Sequence, residues 1–386
     1  MNILTKITLF IIRNIIQFLD IVIPKKKGLL LFTSRLGTFN QNSRYLFEEF
    51  VKVDPKNLKY YYLLRDRDEY NRLSLIFKDK ILYTHSLKGL FHVLRAQTIA
   101  VTHGTKDVSP FYKSKPKKIL QLWHAVSFKK LGFLDKKNRS FWQRLKIKSE
   151  VKGYRNFICS SEIEQHALYS CYRISPERIL ITGYPRNDQL INKKKDRTLL
   201  NNHPYLDSKT VLFAPTFRDQ GITSIFPFTD LNMNSLNQFF KEMDAYLLLR
   251  VHINELDSIN LDPSFDRILA ADASVFPEGQ ELLPHIDILI TDYSSIFIDF
   301  LLLNRPVLFI PYDLEHYIST RGLLYNYNNM TPGPKVFTQA DLIKHLKCYI
   351  ENPDSDKEKR ALICNMLHSY SAGKSSELII NFLENS

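Results

Sequence analysis

Four cysteines occur in 386 residues, and no two of them stand at C-x-x-C spacing. This excludes the common zinc modules and a dithiol redox pair, leaving Cys159, Cys171, Cys348 and Cys364 as isolated thiols suited to a reducing compartment. Acidic residues are also in deficit, 40 against 53 basic ones, for a formal net charge of +13. No short-period repeat and no low-complexity tract is present, which argues against a solenoid or a disordered chain. Long apolar runs are lacking as well. The most apolar stretch, residues 3–23, is interrupted by Lys6, Arg13 and Asp20 and runs into Pro24 and three lysines. It has no small-residue cleavage site, so it does not read as a secretory signal, and its charges make it borderline as a membrane span.

Core material is abundant. Hydrophobic residues make up 44% and charged residues 24%, and 26 Phe and 20 Tyr supply two sizeable cores in a chain too long for one. Leu4, Ile7, Ile11, Ile15, Phe18, Leu19 and Val22 form a stripe at helical spacing, followed by Lys25, Lys26 and Lys27. Such a helix is expected to lie in a membrane interface with its lysines against anionic headgroups, which makes the chain peripheral. Further basic clusters at 113–118 and 144–152 point to an anionic partner rather than a uniform solvating shell. None carries a recognisable nucleic-acid motif with interleaved aromatics, so nucleic acid is not an expected partner.

Beyond Lys27, short apolar runs alternate with amphipathic stretches. Strands are expected at 29–33, 59–64, 98–102, 119–123, 156–159 and 179–181, with helices at 42–52, 86–96 and 161–172 between them. A polar stretch, 192–208, is the best linker. A second series follows at 210–214, 246–251, 268–271, 286–291 and 306–310. This alternation predicts an α/β protein of two doubly wound, Rossmann-like domains with parallel sheets, in which chemistry gathers past the carboxyl ends of the strands.

Four segments carry reactive residues there. His124, in Trp123-His124-Ala125-Val126-Ser127-Phe128-Lys129-Lys130, suits a general base for a hydroxyl, although a lone histidine is more often structural. In Thr182-Gly183-Tyr184-Pro185-Arg186-Asn187-Asp188, Arg186 suits a phosphate, and a plain turn with a solvated arginine explains the segment equally well. Arg218 stands in a similar loop, Ala214-Pro215-Thr216-Phe217-Arg218-Asp219, where an inconsequential surface pair with Asp219 is the bland alternative. The fourth, Thr291-Asp292-Tyr293-Ser294-Ser295 leading to Asp299, brings hydroxyls and amides to a helix start, more polar groups than a simple N-cap requires. His252 closes an earlier strand of the same series.

Taken together, these motifs resemble the CDP-glycerol glycerophosphotransferase family of teichoic-acid synthesis, in its order and from about Leu29 to the C-terminus. The resemblance implies a GT-B fold and transfer of glycerol phosphate, or a related polyol phosphate, from a CDP-activated donor to a lipid-linked cell-envelope polymer. It implies no cofactor and no metal, only CDP-glycerol or CDP-ribitol as donor substrate. It places the catalytic base on His124 and donor phosphate contacts on Arg218, His252, Thr291, Asp292, Ser294, Ser295 and Asp299. Gly373-Lys374-Ser375-Ser376 resembles the family's closing G-x-x-S element and adds Ser375 and Ser376 to the donor site. Lys129, Lys130, Arg186, Asn187 and Asp188 fall to acceptor binding or support. The implied organisation is a membrane-associating amphipathic helix at 1–27, an acceptor-binding domain at 28–200 and a CDP-donor-binding domain at 201–386. The expected location is the cytoplasmic face of the membrane, with a homo-oligomer compatible with these features. The chain departs from the family's W-H-G-T-P-L-K at Ala125 to Phe128, where acceptor choice would be made, and Asn42-Ser43-Arg44-Tyr45 only partly follows its D-N-x-R-x pattern. A GT-B nucleotide-sugar glycosyltransferase acting on an envelope glycan is the alternative, since fold does not fix function.

Overall fold

The computed structural model describes residues 3–109, 117–137, 140–192, 197–216, 218, 225–251, 262–369 and 373–386. The chain forms two compact units. Unit 1 comprises Met1–His124, Leu131–Gln189 and Tyr370–Ser386; unit 2 comprises Ala125–Lys130 and Leu190–Ser369.

Unit 1 is built on seven parallel strands: β1 (Lys26–Phe32), β2 (Lys59–Leu64), β3 (Ile81–Tyr83), β4 (Ala96–Val101), β5 (Lys118–Gln121), β6 (Tyr154–Cys159) and β7 (Ile179–Ile181). Their order is β3-β2-β1-β4-β5-β6-β7. The β1 run Leu29-Leu30-Leu31-Phe32 is buried throughout, as strands covered on both faces require. On one side, Phe32, Phe47, Phe50, Tyr60 and Tyr62 pack edge to face, with ring centroids 5.0–6.1 Å apart. Unit 2 carries five parallel strands: β8 (Lys209–Phe213), β9 (Ala245–Leu249), β10 (Ile268–Ala270), β11 (Ile288–Thr291) and β12 (Val307–Phe309). Their order is β10-β9-β8-β11-β12, over a core that includes Phe213, Phe226, Leu236, Phe240, Leu247, Ile290, Leu308 and Leu346.

In each sheet the chain winds outward from its first strand and then reverses direction. The reversals fall between β1 and β4 in unit 1 and between β8 and β11 in unit 2. Loops past the carboxyl ends of strands diverge at such points and leave a crevice where ligands bind in open α/β sheets.

The N-terminal helix spans Ile3–Val22 and leaves Ile11, Ile12, Ile15, Phe18, Ile21 and Val22 exposed. Among the described residues no helix is long and apolar enough to cross a membrane. The lysine cluster behind this helix divides. Lys26 and Lys27 are exposed, but Lys25 turns inward and donates to Asp20 Oδ1 at 3.2 Å and to the Leu94 carbonyl at 2.7 Å. Lys117 is buried against the same Asp20 carboxylate. A buried carboxylate needs paired cations, so Asp20 claims one lysine of the expected membrane-facing cluster and one of the basic cluster at 113–118, and pins the helix end to unit 1. Residues 110–116 lie outside the described residues.

Candidate active site

In unit 1 the site grows from the reversal point. β1 and β4 lead into Ser34 and Thr102, whose hydroxyls lie 3.1 Å apart. β5 delivers Leu122, Trp123 and His124. Trp123 adopts a left-handed backbone (φ 53°), a strained conformation for a bulky residue that a close network must hold. Gln121 Oε1 accepts the Trp123 N–H at 3.1 Å. The fully buried Asn42 donates its amide to the carbonyls of Leu122 (2.9 Å) and Trp123 (3.0 Å). Its Oδ1 accepts the Arg186 N–H at 3.2 Å, so one amide ties the His124 loop to the helix Pro185–Asn192. Because that amide satisfies three buried backbone groups, Asn42→Leu is expected to destabilise the protein by about 1–3 kcal/mol for each group abandoned. It should also slow catalysis through the displaced loop. An unchanged melting temperature would remove Asn42 from this role.

His124 itself is half-buried, with its Nδ1 enclosed and without a partner among the described residues. Its ring lies 4.4 Å from Trp123 and 4.5 Å from His103. Burial, then His103 and the cationic Arg186, push the His124 imidazole down to about 3. It is therefore a neutral acceptor across the physiological range.

Arg186, Asn187 and Asp188 are buried in the same unit, but Asp188 does not wait for a ligand. Its two oxygens accept the backbone N–H groups of Ser375 (2.8 Å) and Ser376 (2.7 Å) at the start of the helix Ser375–Glu384. The resemblance assigns those amides to donor phosphate. Here they belong to unit 1 and are engaged by Asp188, which completes the helix N-terminus as an anion would.

In unit 2, β8 and β11 flank the second reversal. Thr291 Oγ1 donates to the Ala214 carbonyl at 2.6 Å, and Asp292 Oδ1 accepts the Thr216 N–H at 2.7 Å. Both side chains are buried and bind the two loops together. Arg218 is anchored by Nη2 alone, which donates to Asp292 Oδ2, the Tyr312 hydroxyl and Asp313 Oδ1, each at 3.1 Å. Its guanidinium lies over Tyr293, Tyr312 and Tyr317 at 5.2–5.3 Å from the ring centroids. Burial opposes its charge, but Asp292 and Tyr312 outweigh burial and hold its pKa above the ordinary value. Arg218 Nε and Nη1 are buried without partners among the described residues. Enclosed guanidinium donors are costly unless acceptors fill them, and the oxygens of a phosphate are suited to do so.

Tyr293 stacks on Tyr317 at 4.1 Å, and Lys129 Nζ lies 5.8 Å from the centre of the Tyr317 ring. Lys129 thus joins the Arg218 cluster, because residues 125–130 belong to unit 2. Lys130 is held there by its N–H to the Gly322 carbonyl at 3.1 Å. Ser294 and Ser295 are half-buried ahead of the helix Ile296–Phe300, where the Ser295 side chain makes no capping bond. Asp299 is buried within that helix. His252 lies outside the described residues.

Three participants escaped the reading of the sequence: Asn42, as the link between loops, His103 and Asp313. The last two follow β4 and β12, so the rule that singled out His124 and Arg218 also reaches them. Asn42 sits at the start of a helix, where nothing in its neighbours signals a partner eighty residues away.

Two parallel, doubly wound sheets with reactive side chains at both reversal points define an α/β protein of GT-B type. A profile of the CDP-Glycerol:Poly(glycerophosphate) glycerophosphotransferase family matches residues 15–385, and the chain belongs to that family. It is 28% identical to the teichoic acid glycerol-phosphate primase of Bacillus subtilis, over 100% of this chain and 98% of that protein. It is 29% identical to the teichoic acid poly(ribitol-phosphate) polymerase of Bacillus spizizenii, over 84% of this chain. It spans only about half of that longer protein, 52%. The solved structure of the wall teichoic acid polymerase TagF superposes with a TM-score of 0.78 at 25% identity, covering 99% of this chain and 95% of that one.

Proposed function

We propose that this protein transfers glycerol phosphate from CDP-glycerol to the terminal hydroxyl of a lipid-linked teichoic-acid acceptor, releasing CMP. The observation that carries the reading is the pair of Arg218 donors, Nε and Nη1, buried without partners among the described residues at the β8–β11 reversal, a place where ligands bind in such sheets. Glycerol is favoured over ribitol because the relative matched over its whole length is named for glycerol phosphate, as is the family.

In this reaction the acceptor oxygen attacks the phosphorus on the glycerol side of the donor. The new P–O bond forms as the bond to the CMP oxygen breaks, and the hydroxyl proton passes to His124. Arg218 takes the negative charge that grows on the phosphoryl oxygens and the leaving CMP, with Lys129 supplying further positive charge from the Tyr317 face. A general base of low pKa in the free protein gains basicity once anionic phosphates stand beside it, since they favour the imidazolium. The exposed apolar side chains of the N-terminal helix support peripheral attachment to an anionic membrane. So does the helix Phe141–Lys152, with Phe141 and Trp142 exposed among Arg144, Lys146 and Lys148.

Purified protein should release CMP from CDP-glycerol in the presence of a synthetic lipid acceptor. The rate should exceed that with CDP-ribitol and far exceed nucleotide release from UDP-sugars. With charge neutralisation assigned to Arg218 and Lys129, turnover should persist in excess EDTA. A preference for a UDP-sugar would overturn the donor assignment, and loss of activity in EDTA restored by Mg²⁺ would overturn the metal-independent mechanism.

A further inference from the structure

His124 does not face the carboxyl edge of its sheet alone. The loop after β4 carries Thr102, His103 and Gly104, and it is folded around one carboxylate. Asp107 Oδ2 accepts the N–H groups of Thr102 (2.9 Å) and His103 (2.8 Å), with the Thr102 hydroxyl at 3.3 Å. The Thr102 Oγ1 in turn lies 2.9 Å from His103 Nδ1. Gly104 makes this turn at φ +129°, where a Cβ would come within 2.6 Å of the Glu150 carboxylate. The result is an imidazole fixed on one side by Thr102 and laid flat over His124, with ring centroids 4.5 Å apart and planes within 9°. Its remaining surface is exposed.

We infer that His103 is a positioning residue for the base: its ring, tied down by Thr102 and Asp107, holds the His124 imidazole in one orientation and keeps water from one of its faces. The inference rests on the reading of His124 as the proton acceptor. The parallel stack fixes the plane of His124, and the Trp123 ring lies 4.4 Å away at a tilt of 40°, so two aromatic neighbours restrict it. The charged groups that bear on the pair are the cations Arg186, from the helix Pro185–Asn192, and Arg35, from the turn Arg35–Gly37, with Asp107 behind Thr102. Both cations and the shielding act in one direction and disfavour the imidazolium. His103 is itself pushed down, by partial burial and by Arg35, to about 4, so above that pH it stacks as a neutral ring, and below it its charge adds to the forces that disfavour the His124 imidazolium.

The test compares His103→Ala and His103→Phe in the full-length protein, with CDP-glycerol and a synthetic lipid acceptor as substrates. Removing the ring admits water to His124 and lets its pKa climb toward the ordinary value of about 6.5. The acid limb of kcat/KM in His103→Ala should therefore move up by about one pH unit or more, with the KM for CDP-glycerol unchanged. His103→Phe keeps a flat ring but not the charge His103 gains in acid, so its limb should fall between those of the alanine variant and the wild type. Histidine-selective NMR titration of the resting proteins should report the same upward movement for His124 in the alanine variant. An unmoved limb and unmoved resonance in His103→Ala would overturn the inference, as would a phenylalanine variant that behaves like the alanine one. If His124→Ala still transfers, the base assignment itself has failed, whereas the NMR titration judges the stacking independently of turnover.

Discussion

In a His124→Ala variant, transfer of polyol phosphate falls by about 10²–10⁴-fold, while the melting temperature and the affinity for CDP-glycerol stay at wild-type levels. The size follows from removal of a positioned proton acceptor. The selectivity follows from placement: the His124 side chain spans no strands, and its Nδ1 holds no internal partner among the described residues. Its truncation gives up one hydrogen bond, to the Thr102 backbone. The sign of the pH dependence is also set. The imidazole is held down to about 3 by burial, His103 and Arg186, and a base so depressed is deprotonated at every pH above that value. The wild-type profile of kcat/KM should lack the fall near pH 6.5 that an ordinary histidine base would impose. Equilibrium binding, thermal unfolding and steady-state rates on the same preparations check all three points. Near-normal turnover in the alanine variant would leave His124 as a structural residue.

Arg218→Lys carries the second large effect. Lysine retains a positive charge for Asp292 and so protects the fold, but it loses the planar fork and the Nε and Nη1 donors. Removing one preorganised donor from developing negative charge typically costs about 10²–10³ in rate, and a loss of that order is expected here with weakened binding of the donor. Arg218→Ala should be worse in a different way. It would leave the carboxylate of Asp292 buried without its cation, a change of about 3–5 kcal/mol that unfolding measurements would register. A lysine variant that turns over at the wild-type rate would remove Arg218 from the phosphate site.

Much of the architecture was legible in the chain. Eleven of the twelve strands stand where apolar runs predict them, because a strand buried on both faces writes its burial directly as consecutive Leu, Ile, Val and Phe. The exception is β3, whose three residues Ile81–Tyr83 are too few to form a pattern. His124, Arg218 and Asp292 were legible for a related reason, since each stands within a few residues of a strand's carboxyl end. Ser375 and Ser376 illustrate the opposite case. Their motif announces free amides at a helix start, and the sequence contains no sign that Asp188, 187 residues earlier, engages them. Lys25 is similar: its neighbours make it one of three surface lysines, and only the docking of Asp20 turns it inward.

By itself, then, the sequence determined the two parallel sheets, the loops that carry chemistry and the family to which the chain belongs. These depend on burial and on backbone geometry over a handful of consecutive residues. Only the tertiary structure decided which polar groups are already satisfied and which stay open. Asp188 closes one expected phosphate site, Asn42 links two loops, and His103 lies flat on His124. Arg218 keeps Nε and Nη1 without partners among the described residues. Each of these depends on partners distant in the chain, and a hydrogen bond is made or left unmade only after folding has brought both of its ends together.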